Sequence, residues 1–142
     1  MKSFITTVLF LVTISISSQE VPSKIKLILK KDDAKGLKKE LNKETINNCY
    51  EVGSSSYSLL ILSIKLNSKE CFTALTNRKA DVDKDCNGKT PLIYAAKYGR
   101  LEMAKKLIKK GANFRKKYKG RTALDYAKKY KKTTLIEYLN SL

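Results

Sequence analysis

From Pro91 onward the polar and apolar positions alternate with helical spacing. Apolar residues cluster at Leu92, Tyr94, Ala95 and Tyr98, then at Met103, Ala104, Leu107 and Ile108, with lysines filling most of the gaps. The second group makes one stripe along a helix. Thr90-Pro91 supplies a start signal, since proline's fixed φ suits the first helical position and a threonine hydroxyl can accept from an orphan amide just inside it. Gly99 and Gly111 supply turns, because glycine enters the left-handed region without steric cost. The pattern therefore predicts helices over about 91–98 and 101–110. Helices this short are marginal alone, because isolated ones below roughly 12 residues rarely persist in water. They need neighbours.

The same landmarks return 32 positions later. Gly88 and Thr90 recur as Gly120 and Thr122; Leu92, Tyr94, Ala95 and Tyr98 recur as Leu124, Tyr126, Ala127 and Tyr130; Met103, Ala104 and Leu107 recur as Leu135, Ile136 and Leu139. A period in this range predicts stacked supersecondary units that share one core. Gly88-Lys-Thr90-Pro91-Leu92, Ala95-Ala96, Gly99, Leu107-Ile108 and Gly111-Ala112 stand in the order and spacing of an ankyrin repeat, and the chain resembles that family over roughly residues 24 to 142. One period earlier, Ser58-Leu-Leu60, Cys71-Phe72 and Leu75 look like a degenerate copy. Earlier still, Leu27 to Leu29, Gly36, Leu37 and Leu41 resemble an amino-terminal capping unit.

The resemblance implies an all-α repeat solenoid: an ankyrin-like stack of helix-turn-helix units joined by hairpin loops, about 3.5 to 4 repeats with the capping units. The expected units span approximately residues 24–47, 56–79, 88–111 and 120–142. The hairpin loops would be Ala80 to Asn87 and Ala112 to Lys119, each one residue shorter than is usual in the family, with Tyr50, Val82 and Phe114 forming an inward column beneath them. The family's usual histidine after Thr-Pro-Leu is replaced by Ile93 and, in the last unit, by Asp125, so the hydrogen bonds it would make to the turn must be replaced or lost.

Residues 1–18 carry Lys2 and then an uncharged run whose apolar heart is Phe4 to Ile16, followed by Ser17 and Ser18. This reads as a secretory signal peptide, too short to span a bilayer as a helix. The expected location is therefore outside the cytoplasm, either periplasmic or extracellular, with residues 19–142 forming the repeat domain. Of the three cysteines, Cys71 falls on a helix core position and reads as a small buried hydrophobe. Cys49 and Cys86 lie in neighbouring loops, where an oxidising compartment would permit a bond but their non-equivalent positions weigh against one.

Charge then changes the picture. The chain carries a formal net charge of +17, and residues 97–132 hold 15 lysines and arginines against two acids, Glu102 and Asp125. A field of one sign attracts anionic partners. The family resemblance implies that a partner docks on the concave face made by loop tips and first helices. Three columns then fall side by side: Lys65, Lys97 and Lys129; Leu66, Tyr98 and Tyr130; Tyr57, Lys89 and Arg121, with Lys119 at a loop tip. Tyrosine supplies rigid contact area with a hydroxyl, and arginine grips carboxylates or phosphates through two hydrogen bonds.

Catalysis finds little support. The chain has no histidine, which removes the Ser-His-Asp and Cys-His arrangements and every histidine-bearing zinc site. The acidic run Asp81-Val-Asp83-Lys-Asp85 lacks the glycine and the closing glutamate of a calcium loop, with Cys86 and Leu92 in their places. Gly88-Lys89-Thr90 lacks the upstream glycine of a phosphate-binding loop. The expectation is a monomeric, non-enzymatic binding module without cofactor or small-molecule substrate, taking an acidic protein as partner. Nonspecific adsorption to an anionic glycan or lipid surface is the main rival. A folding or immunity role toward a co-exported enzyme is the third reading, and nucleic acid ranks last because no binding motif for it is present.

Overall fold

The computed structural model describes residues 19–142, so the expected signal peptide at residues 1–18 lies outside the described residues. Eight short helices follow one another in pairs: α1 (Ser23–Lys30) with α2 (Ala34–Glu40), α3 (Leu59–Leu66) with α4 (Lys69–Asn77), α5 (Pro91–Tyr98) with α6 (Leu101–Lys109), and α7 (Ala123–Lys129) with α8 (Thr133–Asn140). Their starts are chemically alike. Ser58, Thr90 and Thr122 each cap the first helix of a pair, accepting from Ile61 N, Ile93 N and Asp125 N. Between the helices of a pair, Asn67 and Gly99 take left-handed conformations with φ of 58° and 70°.

The first helices form an inner row in which α3 packs on α5 and α5 on α7. Ala95, Ala96, Ala123 and Ala127 are buried in this row, and their small side chains allow close approach. The outer helices α4, α6 and α8 touch one another less. A single core runs through the stack, with Leu37, Ile61, Ile64, Leu75, Leu92, Leu107 and Leu135 sealed from solvent. Cys71 belongs to it, fully buried, with burial pushing its thiol up to about 12.

The helical stack also carries a small sheet, which the sequence reading did not foresee. Strands β2 (Tyr50–Val52) and β3 (Ser55–Tyr57) form a hairpin turning at Gly53, and β1 (Gln19–Glu20) joins β2 in parallel, in the order β1-β2-β3. Regular pairing stops there. The later loops hold only the isolated bridge of Tyr118 with Arg121. Their short polar residues form local turns instead: Asp81 Oδ1 accepts from Asp83 N, and Asn113 Oδ1 from Arg115 N. Such side chain to backbone bonds compete with a strand ladder. Beneath the loops Tyr50 is buried while Val82 and Phe114 are partly buried against the core.

The cysteine expectation needs correction. Cys49 and Cys86 are joined in a disulfide, their alpha carbons 5.6 Å apart. Successive loops lie alongside one another, so residues at unequal places in the repeat can meet. Asn47 Oδ1 accepts from Asp81 N at 2.8 Å, which places the loop before β2 against the loop holding Cys86.

Candidate functional site

The inner row ends in a band of tyrosines and lysines. Lys65, Lys97 and Lys129 each occupy the last turn of their helix, where a cation also interacts favourably with the helix dipole. The rings beside them come from the spacing i, i+4, which puts Tyr94 and Tyr98, and likewise Tyr126 and Tyr130, on one helix face. Both pairs stack nearly parallel, at centroid separations of 6.3 Å and 6.5 Å. Tyr57, arriving from β3, meets Tyr94 edge-on at 5.8 Å.

Ammonium groups sit over these rings. Lys65 Nζ lies 3.6 Å from the Tyr57 centroid, and Lys129 Nζ lies 5.7 Å from that of Tyr130. Lys97 Nζ reaches two repeats at once, 5.4 Å from Tyr98 and 5.5 Å from Tyr130. At the loop tips Lys89 and Lys119 flank Tyr118 at 4.4 Å and 5.5 Å. Each contact of this kind contributes roughly 0.5–1 kcal/mol where exposed. Arg121 follows at the loop tip, solvent-exposed, its backbone bridged to Tyr118.

Electrostatics tune the phenols in opposite directions. Burial alone would raise Tyr57, but hydrogen bonding and charge from Lys65, with a further hydrogen bond from Ser55, leave it below its ordinary value. Tyr94 is driven up to about 12 by burial, against the hydrogen bond it shares with Asn87. In the last unit Asp125 performs a different service. Its carboxylate accepts from Thr122 N and from the Thr122 hydroxyl, which closes the turn where the histidine is missing and holds the carboxyl below its ordinary range.

Of the ten residues placed on this face from sequence, Leu66 is exposed and the other nine fall into three clusters: Tyr57 with Lys65; Lys97, Tyr98, Lys129 and Tyr130; and Lys89, Lys119 and Arg121 around Tyr118. Tyr98 is half-buried, whereas Tyr130 is 37% exposed. Lys89 does not continue the Tyr57 column by contact, since its ammonium sits over Tyr118. Tyr94, Tyr118 and Tyr126 were missed. The first and last recur at the repeat offset but read as repeat landmarks. Tyr118 packs against Gly88, where an added Cβ would lie 2.6 Å from its ring and where φ is +83°, a contact that the sequence did not signal.

Among the described residues no acid forms an ion pair with the lysines of this band. The ion pairs among the described residues are Lys24–Glu40, Lys105–Glu102 and Lys116–Asp85, none of which uses one of its lysines. Two clefts elsewhere share none of these residues: one between α4 and α6 beside Phe72 and Met103, the other beside Leu41, Ile46 and Arg78. The described residues hold no group of three or more histidine, cysteine or acidic side chains placed to bind a metal ion. The family whose sequence model matches this chain is described as ankyrin repeats (3 copies), over residues 22–118 and again over 60–141. Among curated proteins none matches the chain significantly.

Proposed function

This chain belongs to the ankyrin repeat family, which implies a protein-protein interaction module, and from that premise we propose that it binds an acidic protein through the tyrosine-lysine band of its inner helices. The observation carrying this reading is the placement of Lys65, Lys97 and Lys129 over tyrosine rings, with no ion pair to an acid among the described residues. Charges held in this way need lose little freedom on binding, and complementary potential speeds encounter. The protein acts outside the cytoplasm in this reading, which the Cys49–Cys86 disulfide supports, because such bonds persist in oxidising compartments.

A second reading, adsorption to an anionic envelope polymer or membrane surface, draws on the exposed lysines of the other faces, such as Lys105, Lys109 and Lys110. Salt separates the two. A pull-down from the native envelope fraction at low and high ionic strength should retain an acidic protein in part at high salt, and Tyr98→Ala with Tyr130→Ala should weaken that capture while helical content is kept. Complete loss of binding at high salt, with no effect of the tyrosine substitutions, would favour the polymer.

A further inference from the structure

The band has one cation per repeat on its inner row, contributed in turn by α3, α5 and α7. Neighbouring helices pack about 8–10 Å apart, and Lys97 Nζ and Lys129 Nζ lie 5.5 Å and 5.7 Å from the same Tyr130 centroid, so successive cations of the band stand within reach of one such step. We infer that the segment recognised here is extended, in polyproline II conformation, with a carboxylate at every third residue, laid across the three inner helices opposite Lys65, Lys97 and Lys129. This deepens the acidic-partner reading and rests on it.

Two observations select that occupant. The rings are already covered by the chain's own ammonium groups, so they form no open cage for a cationic ligand. Exposed apolar area is small and scattered: among the described residues of α3, α5 and α7 and their caps Leu66, 46% exposed, and Tyr130 stand out, with Leu27 apart from them on α1. An amphipathic helix needs an apolar groove for its buried face, and the band does not supply one.

Spacing decides among extended chains. Polyproline II has three residues per turn and rises about 3.1 Å each, so one turn advances roughly 9 Å and returns a side chain to the same side. That advance matches one helix-to-helix step. A β-strand fails the same test, because its side chains alternate and every third residue points to opposite faces.

The test compares two synthetic peptides of identical composition against the full chain by isothermal titration calorimetry. One carries glutamate at every third position with prolines between; its isomer carries the same glutamates side by side. The spaced peptide should bind about tenfold more tightly, because only it engages the lysines simultaneously. Lys97→Gln should remove most of that difference and leave the fold intact by circular dichroism. Equal affinity of the isomers would overturn the spacing while leaving the acidic-partner reading standing, which the envelope pull-down tests separately. Failure of both to bind, or displacement of the spaced peptide by a sulfated polysaccharide at equal charge concentration, would overturn the inference as well.

Discussion

Between α1 and α4 the chain departs from its own rhythm and depends more on individual ties, whereas from α5 to α8 the rhythm is kept and repeated landmarks carry more of the stack. In the first region Asp32 accepts from Glu70 N and Cys71 N, reaching across a repeat to cap α4. The Ser68 hydroxyl donates to Leu29 O at 2.6 Å, and Arg78 donates to Leu41 O. The disulfide and the sheet are added there too. The second region has ties of its own, with Arg100 donating to Ile64 O and Asn113 N donating to Asp83, but it also keeps a threonine cap, a buried alanine and a buried leucine at equivalent places. Degenerate repeats can thus share one stack with regular ones when specific bonds replace the lost consensus.

The sharpest way to break the comparison is to remove the disulfide. Cys49 and Cys86 lie 37 residues apart, and closing a loop of that size stabilises a fold by about 4 kcal/mol in the chain-entropy account. Cys49→Ser with Cys86→Ser should lower the urea midpoint accordingly, and amide exchange should open α1, α2 and the sheet before α5 to α8. Uniform loss of protection along the chain would show that both regions lean on the bond alike. A smaller effect sharpens the comparison. Ser58 and Thr90 make matching caps, at 3.2 Å and 3.3 Å, so alanine at either position should cost a similar amount of about 1 kcal/mol in denaturant unfolding.

The smallest effect concerns titration. Lys65→Ala should raise the Tyr57 ionisation, because the ammonium that lowers it is gone, and should reduce stability by less than about 1 kcal/mol. Tyr94 behaves oppositely. Its folded value of about 12 exceeds the ordinary value of 10.0, so its contribution to stability is fully present below the ordinary value and is lost as pH rises through about 12. Ultraviolet difference spectra across alkaline pH check both residues. An unchanged Tyr57 ionisation in the lysine variant would detach Lys65 from Tyr57.

Much of the helical stack was legible. Thr90-Pro91, Gly99 and Gly111 act within a few residues of themselves, and their positions foretold where α5 and α6 begin and end. The Lys97 and Tyr98 positions were legible for the same reason, through the repeat offset. The sheet was not, because β1 holds two residues and β2 and β3 three each, too few to show an alternating pattern. Tyr118 escaped as well. Its surroundings depend on Gly88, 30 positions earlier, and no periodicity connects the two.

By itself the amino-acid order determined the helices, their caps, the shared apolar stripe and the surplus of cations, since each follows from neighbours within a turn or two or from simple composition. Only the tertiary structure decided that Cys49 meets Cys86 and that Lys97 settles between the rings of two successive repeats. Those are encounters between separate loops and helices. They depend on how closely the units stack, a distance set by side-chain volume in the core and not by any local residue preference.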